Sequence, residues 1–150
     1  MLRGAGESDD VRVRSVEVIG ILYRAADALR QRTYRNNHGR MGEDAAHRYL
    51  RGRGCTVVAR NYRPRPGRGE IDLVAWYGER LVFVEVKTRS SEEHGTPERA
   101  VDHEKRAALV RAARDYARRV NVPWERVRFD IVSVVLEQPL RIDWLQDAFH

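Results

Sequence analysis

The chain has 150 residues, 42% of them hydrophobic and 33% charged, with a formal net charge of +6. That length suits one compact α/β domain with its own core, and no run approaches the ~18 apolar residues of a membrane-spanning helix. A single cysteine, Cys55, excludes an internal disulfide and a cysteine-built zinc site, and fits a reducing, cytoplasmic setting.

Of the 28 basic residues 26 are arginine; only Lys87 and Lys105 are lysine. Such skew matches the codon bias of a GC-rich genome, so basicity alone is no sign of a DNA-binding surface. Its distribution says more: residues 1–68 carry +8 and residues 69–150 carry −2.

Residues 1–14 are expected to be a mobile polar start. From Ser15, apolar Val16, Ile19, Tyr23, Ala26 and Leu29 recur at helical spacing, which predicts an amphipathic accessory helix over 15–32, ended by Asn36–Asn37–His38–Gly39. Glu17, Arg24 and Asp27 spoil both a secretory segment and a span there. Residues 1–38 thus read as an N-terminal extension whose helix offers an apolar face for a homodimer, and residues 39–150 as the main domain. A second helix is predicted over 40–53, with Glu43 and Asp44 in its first turn, Ala46, Tyr49 and Leu50 as its inner stripe, and Gly54 as its stop. Glu43 leans toward that stripe.

Cys55 to Asn61 reads as a short strand. The loop "YRPRPGRG" follows, and Arg60, Arg63, Arg65 and Arg68, with Tyr62, stand where phosphate contacts and one stacking ring would suit, although a solvated loop has the same composition. "EIDLVAW" and "RLVFVEVKT" are two strands of a hairpin with Gly78 at the first central position, as a type II′ turn requires. A loop over 89–97, a helix from Pro97 to about Val120, a strand from Arg128 to Leu136, and a short helix or tail in "IDWLQDAF" complete the chain. This order predicts a mixed central sheet of about four strands flanked by helices.

A hairpin centred on Gly78–Glu79 sets Asp72 opposite Glu85 and Glu70 opposite Lys87, all four on one face, with directly opposed Cβ atoms ~5 Å apart. Ile71, Leu73, Val82, Val84 and Val86 fall on the other. An acid facing an acid weakens a sheet unless a cation sits between them, and Mg²⁺, or Mn²⁺ in its place, takes a couple of carboxylates plus waters and phosphate oxygens. Lys87 could hold the attacking water or offset charge on a phosphate. An isolated Glu-x-Lys on a strand is ordinarily an exposed salt-bridged face; here the acids interrupt a buried pattern. Glu43 fits either a metal role or simple complementation of its helix N-terminus, and Glu70 fits a salt bridge to Lys87. Arg89, directly after the strand, fits a phosphate contact or a solvated one. The five histidines show no metal-ligand pairing.

"GRMGEDAAHRYL", "ARNYR", "GEIDLVAW", "LVFVEVKTRS", Lys105 within "VDHEKRAALVRAARDYA", and "RFDIVSV", in this order over residues 39–149, resemble the YraN-like uncharacterised protein family. That family is placed by its motifs in the restriction-endonuclease-like superfamily, with its P-D…(D/E)-x-K signature. The resemblance implies a three-layer α/β fold in which Asp72 matches the metal-binding Asp, Glu85 the second acid and Lys87 the signature lysine. Glu43 is similar to the first-helix acid of the Holliday-junction-resolvase branch, and Lys105 to a polar helix residue facing the site and the nucleic acid, although a plain surface lysine fits that position equally. Ile71 stands where the signature has proline. The implied function is a Mg²⁺-dependent endonuclease acting on DNA, branched or structured DNA included. A non-catalytic nucleic-acid-binding module on the same fold is the second reading.

Overall fold

The computed structural model describes residues 8–65, 69–91 and 103–150, with side chains from residue 25 onward. The chain divides after Asn37 into two units. Helix α1, Ser8–Gly52, runs through the point of division. The two helices predicted either side of Asn36–Gly39 are therefore one, and its backbone is already helical at Ser8, inside the stretch expected to be a mobile start. One glycine costs a helix only about 1 kcal/mol, too little to stop it without a C-cap geometry. Such a geometry comes after Gly52: Gly54 takes φ +93° and the Cys55 N–H donates to the Leu50 carbonyl at 3.0 Å. Leu29, on the apolar face expected to serve a homodimer, is 66% exposed.

In the second unit the described strands form one five-stranded sheet in sequence order: β1 (Thr56–Tyr62), β2 (Ile71–Tyr77), β3 (Arg80–Arg89), β4 (Val127–Val135) and β5 (Arg141–Phe149). β3 and β4 are parallel and the other neighbours antiparallel. A parallel pair needs a crossover, and helix α2, His103–Arg119, lies within it. Residues 97–102, the expected start of that helix, lie outside the described residues.

Two apolar layers sandwich the sheet. Ala45, Ala46 and Leu50 of α1 pack with Leu73, Ala75, Val82, Val84, Val132 and Val134 on one face. Leu109, Ala112, Ala113 and Ala117 of α2 pack with Ile71, Val74, Leu81, Phe83, Phe129 and Ile131 on the other. With both faces covered, Leu81 to Val84 is a continuous buried run. Each such side chain contributes about 1.5–3 kcal/mol on full burial.

Two expectations are corrected here. "IDWLQDAF" is not a helix or tail but most of β5. Ile142 and Trp144 pack on the α1 side, Leu145 and Phe149 on the α2 side, and the ladder shifts between Phe129 and Ile131, with Asp147 at φ +53°. That bulge destroys the simple alternation by which a strand is recognised. Ile71, expected beside Leu73, instead joins the α2-side core. It pairs with Tyr62 just after Asn61, whose φ of +50° turns this end of the β1–β2 ladder toward α2.

Candidate functional site

The β2–β3 ladder has the predicted register, running from Tyr77↔Arg80 to Leu73↔Val84 across a turn in which Gly78 takes φ +58°. Beyond Leu73 the recorded pairing stops, and the Asp72 carboxylate substitutes for it: Oδ2 accepts the Val86 N–H at 2.7 Å. This open end of the hairpin is where the acids converge.

Glu85 is 3% exposed. Its Oε1 receives the Lys87 ammonium at 3.1 Å and also the Lys105 ammonium, which reaches over from the first turn of α2. Burial alone would lower the Lys105 pKa, but the Glu85 contact outweighs it and the pKa rises. Asp72 is half-buried, and its pKa is pushed up to about 7, first by burial and then by the neighbouring charges of Glu85 and Glu43, with the Val86 N–H working in the opposite direction.

Two glycines let the helices approach this end. A Cβ on Gly42 would lie 1.8 Å from Thr88 Oγ1, so α1 meets β3 here only because residue 42 has no side chain, and Glu43 follows directly. Gly69 takes φ +93°, and a Cβ there would stand 2.9 Å from the Ala108 carbonyl oxygen of α2.

The remaining expected site residues are distributed as follows. Glu43 lies 3.9 Å from Arg60, which donates to Asp44 at 2.5 Å and thereby lowers the Asp44 pKa. Arg60 thus bridges β1 to α1 rather than standing in a phosphate loop. Glu70 is paired with Arg63 at 2.6 Å, not with Lys87, which is taken up by Glu85. The Tyr62 hydroxyl donates to Asp115 at 2.5 Å, its ring meets Tyr116 edge-on at 4.9 Å, and burial followed by the Asp115 contact pushes its pKa up to about 12. Arg65 lies away from the acids, in a cleft with arginines of α2. Arg89 ends β3, its carbonyl accepting the Leu136 N–H at 2.8 Å; Arg68 lies outside the described residues.

Sequence reasoning left Lys105 open, and its meeting with Glu85 depends on a long-range contact that no local pattern encodes. Asp130 was not singled out, although it too breaks an apolar strand. It is fully buried, accepts both arms of the Arg128 fork at 2.8 Å, the Trp144 indole N–H at 2.8 Å and the Asp147 N–H at 3.0 Å, and ties β4 to β5.

Among the described residues no group of three His, Cys, Asp or Glu side chains converges as a ready metal set. Asp72 and Glu85 nevertheless fit a hard divalent ion. They are two neighbouring carboxylates held within the protein, Asp72 Oδ2 by a backbone N–H and Glu85 Oε1 by two ammonium groups. A cation would relieve the repulsion that raises Asp72, and two carboxylates completed by water and phosphate oxygens suit Mg²⁺.

Residues 42–134, which hold every one of these acids and both lysines, match the uncharacterised protein family UPF0102. The chain belongs to that family. The UPF0102 protein of Solibacter usitatus is 67% identical over 132 residues, covering 88% of this chain and 100% of the relative. That of Koribacter versatilis is 46% identical over 114 residues (74% and 78% of the two chains), and that of Rhodococcus opacus 43% identical over 114 residues (74% and 94%). The family membership inferred from the motifs holds. The family region begins at Gly42, the glycine that seats α1 on β3, and stops before β5. No helix among the described residues is long and apolar enough to cross a membrane.

Proposed function

We propose that this UPF0102 protein is a Mg²⁺-dependent nuclease that hydrolyses phosphodiester bonds in DNA, on a restriction-endonuclease-like fold. The observation that carries the reading is the convergence of Asp72 and Glu85 from adjacent strands at the open end of the hairpin, with Lys87 and Lys105 on the same Glu85 oxygen. The antiparallel β2–β3 pair followed through α2 by parallel β4 supports the fold assignment.

Asp72 and Glu85 would hold the ion. Once bound it would polarise the phosphate and acidify a water. The protein's own contribution is positional. The Val86 N–H fixes the Asp72 carboxyl, Gly42 and Gly69 bring both helices close, and burial of Glu85 keeps bulk water from competing for its oxygens. The Lys87 ammonium supplies positive charge where the attacked phosphate accumulates negative charge, and orients water by donating to it.

The test is a cleavage screen of single-stranded, duplex and four-way-junction DNA with Mg²⁺ or Mn²⁺. The wild-type protein should cut at least one substrate, and Asp72→Asn and Lys87→Met should cut it at least about 100-fold more slowly. No cleavage of any substrate overturns the proposal.

One observation favours the binding-module reading: Glu85 is already neutralised by two lysines without a metal. That reading predicts salt-sensitive DNA binding that persists in EDTA and survives Asp72→Asn.

A further inference from the structure

Away from the acids, the outward face of α2 carries Arg111, Arg114 and Arg118, spaced three and four residues apart and therefore on one side of the helix. Arg65, from the segment after β1, comes up beside them, and the four arginines with Asp115 and Pro64 line a cleft of about 400 Å³. Asp115 is the one acid in that lining; it bonds the Tyr62 hydroxyl at 2.5 Å and Arg119 at 2.9 Å, and the charge of Arg118 acts on it more weakly. Among the described residues none of the four arginines has a carboxylate within ion-pair distance. This concentration of positive charge falls mostly in the part of the chain whose net charge is −2, so it is not simply a share of the overall basicity.

A second depression of about 220 Å³ continues the cleft past Arg114 and Arg118 to Trp124, and the Arg114 guanidinium lies 4.5 Å above the Trp124 ring. From Arg111 to Arg118 the helix rises about 10 Å, close to the axial rise of three nucleotides of one DNA strand. Guanidinium forks bind phosphate bidentately, and a row of them suits a backbone of regularly spaced phosphates.

We infer that the cleft formed by Arg65, Arg111, Arg114 and Arg118, ending at Trp124, is a binding track for the phosphodiester backbone of DNA, separate from the Asp72–Glu85 centre. It shares with the proposed function only the DNA partner. It requires no metal and no cleavage, so the two can fail independently.

The test is binding of a fluorescent 20-base-pair DNA duplex in EDTA over a series of salt concentrations, with wild type, Arg30→Ala and the triple variant Arg111→Ala/Arg114→Ala/Arg118→Ala. Circular dichroism checks folding, and the three sites are exposed. The triple variant should bind roughly tenfold or more weakly, and its slope of log affinity against log salt should fall by roughly two to three. Arg30→Ala, which removes one exposed arginine outside the cleft, should bind nearly as wild type. If the variant fails to hold its fold, Arg118→Glu alone should still weaken binding and lower the slope. Unchanged affinity and slope in the folded variants overturn the inference. So does displacement of the duplex by polyglutamate competing as well as unlabelled DNA, or loss of inorganic-phosphate binding in the variants with duplex binding intact.

Discussion

Asp72 and Asp130 are both carboxylates set into the same sheet, and their surroundings are opposite. Asp130 receives four hydrogen bonds, two of them from a guanidinium, and is fully buried. Asp72 accepts the backbone N–H of Val86 and faces the charges of Glu85 and Glu43. A buried acid with its lone pairs satisfied and its charge matched holds a structure together. One pressed against other acids is held in a costly state, and that cost is relieved only by a proton or a cation.

The largest expected effect breaks the Asp130 side of this contrast. Asp130→Ala leaves the Arg128 guanidinium and the Trp144 indole N–H without their acceptor, and should destabilise the protein by about 3–5 kcal/mol in denaturant melts. A loss below about 1 kcal/mol would mean that Asp130 is no anchor.

Asp72 should behave in the reverse sense. Its folded pKa, pushed up to about 7, lies above the ordinary aspartate value of 3.8, so the folded state binds this proton more tightly than the unfolded chain. Its ionisation therefore costs stability progressively as pH rises from about 4 to about 7, and below about 4 the cost is absent. Asp72→Asn should then be more stable than wild type at pH 8 by about 1–3 kcal/mol and indistinguishable near pH 4. Thermal melts across that range check it, and a variant less stable at pH 8 would contradict the assigned repulsion.

The smallest effect sharpens the boundary of the site. Tyr62→Phe removes only the bond to Asp115 and should cost about 1 kcal/mol while leaving DNA cleavage unchanged, because that hydroxyl holds β1 to α2. A large loss of cleavage with stability intact would return Tyr62 to the substrate side.

The hairpin and its acids were legible in the sequence because every determinant is local. Gly78 permits the turn, the apolar alternation fixes the register as far as Leu73↔Val84, and just beyond it the Asp72 carboxylate reaches the Val86 N–H next to Glu85. Less legible were features settled by contacts distant in sequence. Lys105 reaches Glu85 through the packing of α2 on the sheet, and Glu70 pairs with Arg63 while Lys87 pairs with Glu85. Local signals also misled in two places. The Asn36–Gly39 segment looks like a helix break but lies inside α1, and the bulge at Asp147 hides β5. Asp130 shows why a charge in an apolar strand is ambiguous from sequence: only its four donors, from β4 and β5, reveal an anchor rather than a site.

The most direct test of the central claim is calorimetric titration of Mn²⁺ into the wild-type protein, Asp72→Asn and Tyr62→Phe at pH 7.5. Wild type and Tyr62→Phe should bind at least one ion per chain with the same affinity, and Asp72→Asn should lose that binding. No binding by the wild type, or equal binding by Asp72→Asn, would contradict a metal site built on Asp72 and Glu85.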